Sequence, residues 1–416
     1  MKVFNQNLLW VSIATLALTG CGSSDDSNNE IDDEHEHDHE ISILVSQANT
    51  STLSLLEEGE LEALDDAAAD NSATLVLSQT GAYSAVLASD TVNFVHGLHE
   101  DEEEGEHEEE GHEEGEHEEE AHVIDFSLTA SQVITTNGHF SMLDSGSSVF
   151  VAYDDLETIT DASEGTSDLS VVETYPALIL DEEHDLKLLF DGVDALLYEG
   201  TTEETNFTCA NPSGHGQTGE LVVVACEAGS VALVIEESET EHTFTDSVLT
   251  LDGTGANYQW RAKGGVIVGY EPSTSNYAIV ELDETTGDIQ LVTGSQDVTH
   301  DFSQNICDLQ LDSESQDVLA LSENGHFAVL NHEGEALKNI VLDESSATEC
   351  GDLIMAVAAK TAIVVDNSVQ QGYEIDVDDV ESNPSGYHVH ERFDLTVNDV
   401  HNMVIFHEIE EGEHEH

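Results

Sequence analysis

Thr136-Asn137-Gly138-His139-Phe140 and Glu323-Asn324-Gly325-His326-Phe327 set the same Asn-Gly-His turn between two apolar runs, and Thr80-Gly81-Ala82-Tyr83 sets a related turn in a like context. Asn-Gly is the strongest short hairpin signal, because both residues tolerate the positive φ that a two-residue turn requires. Outward from these turns the chain reads as short β-rich runs: Ala73 to Leu77, Tyr83 to Leu87, Val133 to Thr136, Ser148 to Tyr153, Leu221 to Ala225, Val231 to Ile235, Gly265 to Tyr270, Tyr277 to Leu282, Val318 to Leu321, Phe327 to Leu330, Ala362 to Val365 and Met403 to Phe406. Most are bounded by Gly, Asn, Asp or Ser, and only Glu57 to Ala69 has a helical look, part of it reading alternatively as a strand and loop. Many short strands without interleaved helices indicate an all-β fold, a sandwich array or a propeller. The recurring turns favour a β-propeller, and blades of about 40 to 50 residues predict about seven, with eight as the nearest alternative.

Between two of these runs lies His96 to His122, HGLHEDEEEGEHEEEGHEEGEHEEEAH. Nearly every side chain in it is imidazole or carboxylate. Carboxylates alone suit calcium or magnesium, whereas neutral imidazole suits zinc, copper or nickel, so His96, His99, His107, His112, His117 and His122 point to a transition metal, Zn2+ first. A solvated acidic loop accounts for the Glu residues but not for six histidines. His107, His112 and His117 recur every five residues, which on a helix turns successive rings by about 140°. They share no helix face, and a metalloprotease helix, which needs His at i and i+4, is excluded. A Gly-broken loop can wrap an ion with any three or four of these groups.

The chain carries 90 acidic residues against 7 basic ones, a formal charge of −83. Nucleic acid is excluded as a partner, because binding by counterion release needs a basic footprint. Anionic membrane surfaces are disfavoured for the same reason, and cations are attracted. The N-terminus places Lys2 before an apolar run from Leu8 to Leu18 and then Leu18-Thr19-Gly20-Cys21, which reads as a signal peptide over 1–20. Its end resembles the lipobox of bacterial lipoproteins, which implies diacylation of Cys21. Gly22 after that cysteine implies the outer membrane, with the lipid as sole anchor and the chain facing the periplasm. Residues 21–42, with His35, His37 and His39, read as a disordered acidic tether. The propeller is expected over 43–407, and 408–416 reads as an acidic, His-bearing tail.

Cys209, Cys226, Cys307 and Cys350 form an even set outside the cytoplasm and read as two disulfides. Three connectivities are open. Pairing 209 with 226 and 307 with 350 is favoured, because each closes a modest loop between neighbouring strand candidates.

The order Val92-Asn93-Phe94-Val95-His96-Gly97-Leu98, an acidic His-rich insert, Phe126-Ser127-Leu128 and Leu143-Asp144-Ser145-Gly146 resembles the AztD-type periplasmic zinc metallochaperones. Cys209-Ala210-Asn211-Pro212-Ser213-Gly214-His215-Gly216 with Ala225-Cys226-Glu227-Ala228-Gly229 is similar to the Cys-rich blade of that family, which supports the 209–226 disulfide. The likeness runs from about Thr74 to Phe406 in element order. It implies a β-propeller that hands zinc to the solute-binding protein of a zinc ABC transporter. In the family a short His-and-acid motif after the Gly-Leu contributes to zinc binding; here the long tract replaces it.

Other candidate ligands are fewer. His388 and His390 in Tyr387-His388-Val389-His390 leave one face of a strand together, as a second metal site or an extension of the first. His407, His414 and His416 end the chain as a second gathering arm. His139 and His215 stand in the family-like segments, where a lone His beside a turn is more often hydrogen-bonded structure than ligand. No Gly-x-Ser-x-Gly elbow, phosphate loop or dinucleotide fingerprint is present, and Asp376-Val377-Asp378-Asp379 lacks the glycine and terminal Glu of a calcium-binding hand. The sequence therefore predicts a non-enzymatic, zinc-binding cell-envelope protein, a metallochaperone or scavenger. The alternative is a propeller scaffold for protein–protein interaction that carries a solvated spacer.

Overall fold

The computed structural model describes residues 42–48, 50–57, 60–64, 73–97, 121–159, 164–238, 241–253, 255–283, 286–293, 305–312, 316–342, 345, 347–358, 361–377, 388–395 and 400–407. Within these the chain is an all-β propeller of eight four-stranded antiparallel sheets. Seven blades are continuous in sequence. Blade 1 holds Thr74–Leu77, Tyr83–Ala88, Thr91–His96 and His122–Thr129, and blade 2 holds Gln132–Thr136, His139–Asp144, Ser147–Ala152 and the short Glu164–Gly165. Blades 3 to 6 open with Tyr175–Asp181, Gly214–Thr218, Gln259–Lys263 and Ile306–Leu311. Blade 7 consists of Leu353–Ala358, Thr361–Asp366, Gln371–Asp376 and His388–Asp394.

The eighth sheet explains why a count of repeats along the chain gives about seven. It is composite: Ser42–Gln47, Leu53–Glu57 and Glu60–Ala63 from the beginning pair with Val400–Phe406 from the end. Ile43 faces Ile405 and Leu44 faces Val404, so the last strand closes the ring. A blade split between the two ends shows no repeat in sequence order. In the region 57–69 the strand alternative holds over the helical one where the chain is described. Leu55 pairs with Glu62 and Leu56 with Leu61 in a hairpin, because Leu53, Leu55 and Leu56 are buried in the closing blade; residues 65–69 lie outside the described part.

The recurring turns do not mark equivalent places. Asn137-Gly138 joins the first two strands of blade 2, whereas Asn324-Gly325 joins the second and third strands of blade 6. Their likeness is one of hairpin chemistry: at Asn324 and Gly325 both φ angles are positive, 65° and 67°.

Eight hydrophobic clusters fill the eight gaps between neighbouring blades. Strands covered on both faces read as unbroken apolar runs, as in Leu221–Cys226 (LVVVAC) and Val266–Tyr270 (VIVGY), every residue of which is buried. Outer strands such as Thr202–Thr208 (TEETNFT) are almost wholly exposed and polar, which blunts the sheet edge against pairing with another chain. Both expected disulfides are present and join consecutive blades. Cys209–Cys226 links blade 3 to blade 4 with a Cα separation of 5.0 Å, and Cys307–Cys350 links blade 6 to the turn entering blade 7 with 4.7 Å.

First strands of successive blades line the ring. His215 lies there, with Nδ1 3.1 Å from the Tyr175 hydroxyl and Nε2 2.9 Å from the Thr135 carbonyl, so both ring nitrogens are engaged in joining blades 2, 3 and 4. Burial holds its pKa down to about 4, with the Arg261 charge acting in the same direction and the Thr135 bond against it. The folded ring stays neutral where the unfolded ring takes a proton, so stability is fully present above about pH 6.5 and falls as pH drops towards 4. Denaturation of wild type and His215→Gln at pH 7 and pH 4.5 is expected to show the stability difference between them shrinking by about 2–3 kcal/mol at the lower pH. A pH-independent difference would show that His215 is not held neutral by the fold.

Candidate metal centre

The third strand of blade 1 ends at His96 and the fourth begins at His122, and these two residues stand directly opposite each other across the ladder. The His/Glu tract is therefore the hairpin connection of that blade, and an imidazole pair closes its base. Tyr83, opposite His96 on the other side, stacks on the His96 ring at 4.4 Å and 22°, while the His122 ring meets it edge-on at 5.4 Å and 69°. The His96 ring is thus fixed by packing and is only 7% exposed, whereas His122 opens to solvent.

A third group comes from blade 2. After Ser147–Ala152 the chain makes a single turn, Tyr153–Asp155, in which Tyr153 and Leu156 are buried between blades 1 and 2. The Tyr153 ring meets Phe140 edge-on at 4.9 Å. With its neighbours anchored, Glu157 projects across the gap: Oε1 lies 2.8 Å from His96 Nδ1 and Oε2 lies 3.6 Å from His122 Nε2. The carboxylates make the place attractive to a cation. Burial first, then the charges of Glu157 and Asp154, push the Tyr83 hydroxyl above its ordinary value.

Donor atoms of His96, His122 and Glu157 all lie within 4.8 Å of one another. Tetrahedral zinc takes His nitrogen at about 2.0–2.1 Å and carboxylate oxygen at about 2.0–2.2 Å, so its donors stand roughly 3.3 Å apart, near the 2.8 Å from His96 Nδ1 to one Glu157 oxygen and the 3.6 Å from His122 Nε2 to the other. Two imidazoles and a carboxylate leave a fourth position open on a tetrahedral ion. At the tract's start, Gly97 is set by contact: a Cβ there would lie 2.4 Å from Phe406 Cγ, so only glycine lets the chain leave the strand against the closing blade.

His99, His107, His112 and His117 lie outside the described residues, as do Cys21, the tether and residues 408–416. His388 and His390 are brought together on the outer strand of blade 7, their rings 6.3 Å apart and both against Asp376 Oδ2, at 3.2 Å from His388 Nε2 and 3.5 Å from His390 Nδ1. That places them in a cluster distinct in residues from the first. His139 directs Nδ1 to the Asn137 carbonyl at 2.8 Å, and the two partners of His215 are structural, so neither joins a described metal cluster. His407 belongs to the fold and not to an arm. It packs against Gly81, and burial holds its pKa down to about 4, with the Lys263 charge adding to the effect.

Glu157 and Asp376 carry no distinguishing mark in the sequence. Each is one of 90 acidic residues: the packing of blade 2 on blade 1 brings Glu157 to His96 and His122, and strand pairing within blade 7 brings Asp376 to His388 and His390. Among the described residues no helix is long and apolar enough to cross a membrane.

No family model matches the chain, and no curated protein matches it in sequence. Solved structures do match. Apo AztD from Citrobacter koseri superposes with a TM-score of 0.64 at 12% identity, over 88% of this chain and 97% of that one. A further crystal structure of Citrobacter koseri AztD gives 0.61 at 12% identity over 88% and 98%. The dihydro-heme d1 dehydrogenase NirN in complex with DHE gives 0.50 at 9% identity, over 87% of this chain and 74% of that one. The chain is similar to these proteins in fold.

Proposed function

We propose that this chain is a zinc-binding protein of the bacterial cell envelope that collects the ion on its His/Glu tract and holds it at a site at the tract's base, His96, His122 and Glu157. The observation that carries this reading is the placement of the tract: its two ends are an imidazole pair opposed across one hairpin, with a carboxylate from the next blade between them. A tract of weak ligands captures ions quickly and gives them up readily, because ordering the loop takes back part of the binding energy. Ligands fixed by strands and by stacking on Tyr83 lose little on binding and so hold the ion more tightly. The pair of sites thus forms a gradient from loop to scaffold.

The AztD-like order of motifs and the shared propeller support a role in delivery, with zinc passing to the solute-binding protein of a zinc ABC uptake system. Two disulfides support an extracytoplasmic setting. Lipid attachment at Cys21, on the strength of the lipobox, would keep the protein at the membrane, where it serves a neighbouring transporter or stores zinc for it. The reading is of a carrier, not an enzyme: the zinc is cargo.

Replacing residues 98–120 by a short Gly-Ser link, with His96 and His122 kept, tests it. Equilibrium dialysis against buffered zinc is expected to show most of the bound equivalents lost and one tight equivalent retained. If the stoichiometry is unchanged, the tract is a spacer and the interaction-scaffold reading replaces this one.

A further inference from the structure

The outer hairpin of blade 7 carries an arrangement that fold stability does not call for. Along Gln371–Asp376, Glu374 and Asp376 point to one face. Opposite them the register of His388–Asp394 slips: Glu374 pairs with Glu391, but Ile375 pairs with Val389, so His390 is the extra residue of a bulge. A bulge turns the side chains of two successive residues to the same side and re-aims the strand. His388, His390 and Glu391 therefore join Glu374 and Asp376 on one face, where an unbroken strand would send His390 and Glu391 to opposite faces. Arg392, opposite Tyr373, falls on the other face.

This face sets Glu374 directly against Glu391, a like-charge pair that costs stability in an antiparallel ladder, with the Asp376 carboxylate one pleat away. Two imidazole nitrogens and one carboxylate oxygen already converge: His388 Nε2, His390 Nδ1 and Asp376 Oδ2 lie within 4.8 Å of one another. Both histidines are more than half exposed, so an ion reaches them without opening the fold.

We infer that this face is a second divalent-metal site, with His388, His390 and Asp376 as ligands and a fourth position for solvent or the Glu374 carboxylate. It takes a zinc-class ion, because imidazole donors exclude calcium and magnesium as preferred occupants. The ion neutralises the crowded carboxylates, which gives the bulge its use. The site goes beyond the proposed function: it shares no residue with the tract or with His96, His122 and Glu157, and stands on strands alone.

The test uses the full mature chain in zinc buffers, with diethyl pyrocarbonate labelling of histidines read peptide by peptide. Zinc is expected to slow modification of His388 and His390 at least tenfold, while exposed His401 is modified at an unchanged rate and magnesium at the same free concentration protects none of them. In Asp376→Asn, half-protection should need about tenfold more free zinc. Equal labelling of His388 and His390 with and without zinc, in a protein whose fold is verified by circular dichroism, would overturn the proposal, as would protection unaltered in Asp376→Asn. His122 is read in the same digest, so the outcome at blade 7 and the outcome at the tract's base are separate.

Discussion

His96→Ala is expected to weaken the tightest zinc equivalent by about a hundredfold or more, while the weaker equivalents held by the tract persist. Loss of a residue that merely supports a metal ligand costs about ten- to a hundredfold, and removal of a ligand costs at least the upper part of that range. His96 is the ligand whose loss matters most, because its ring is the most fixed: it is buried, stacked on Tyr83 and 2.8 Å from Glu157. Glu157→Gln keeps the side chain's shape and removes its charge, so it is expected to lower affinity in the same direction by about ten- to a hundredfold. Chelator competition resolves the tight equivalent from the loose ones. An unchanged tight equivalent in both variants would move the holding site elsewhere in the molecule. Protons and zinc compete for imidazole nitrogen, so the tight equivalent should also weaken between pH 7.5 and pH 5.5, by about tenfold for each imidazole engaged.

That expectation shows where the sequence is readable. Each of the twelve named apolar runs coincides with a strand, three of them passing its end by one residue at Ala73, Tyr153 and Gly265, because a blade covered on both faces demands continuous apolar stretches and the turns demand Gly and Asn. Two members of the candidate metal cluster, His96 and His122, are equally open to reading, since imidazole among carboxylate is a compositional signal. What composition cannot convey is which carboxylate meets which imidazole. Glu157 reaches His96 from the neighbouring blade, and the meeting depends on Tyr153 and Leu156 being buried in the gap between them. Asp376 meets His390 only because the register slips by one residue. Bulges leave little trace in a strand of mixed polar residues, where no buried face fixes the alternation. The observed eight blades are the stated alternative to seven, and the repeat count falls one short because the closing blade's strands lie at opposite ends of the chain, where repeat counting sees only neighbours.

The closing strand is where the largest structural effect is expected. A chain that stops before Val400 should fail to fold as a cooperative unit, giving no sharp thermal transition where the untruncated chain gives one. Val400, Met403, Val404, Ile405 and Phe406 are all buried, and each such side chain contributes about 1.5–3 kcal/mol on leaving water. Five of them sum to roughly 8–15 kcal/mol, as large as the whole stability of an ordinary domain of about 5–15 kcal/mol. Without that strand the backbone of Ser42–Gln47 also loses one of its two partners, and the closing blade loses its innermost strand. Phe406→Ala separates packing from pairing: it keeps the ladder and is expected to cost about 3–5 kcal/mol. Because that ring lies against Gly97, which leads from His96 into the tract, the same variant should loosen zinc at the tract's base even at temperatures where the propeller stays folded. A truncated chain with a transition as sharp as that of the complete one would mean that the ring does not depend on closure through Val400–Phe406.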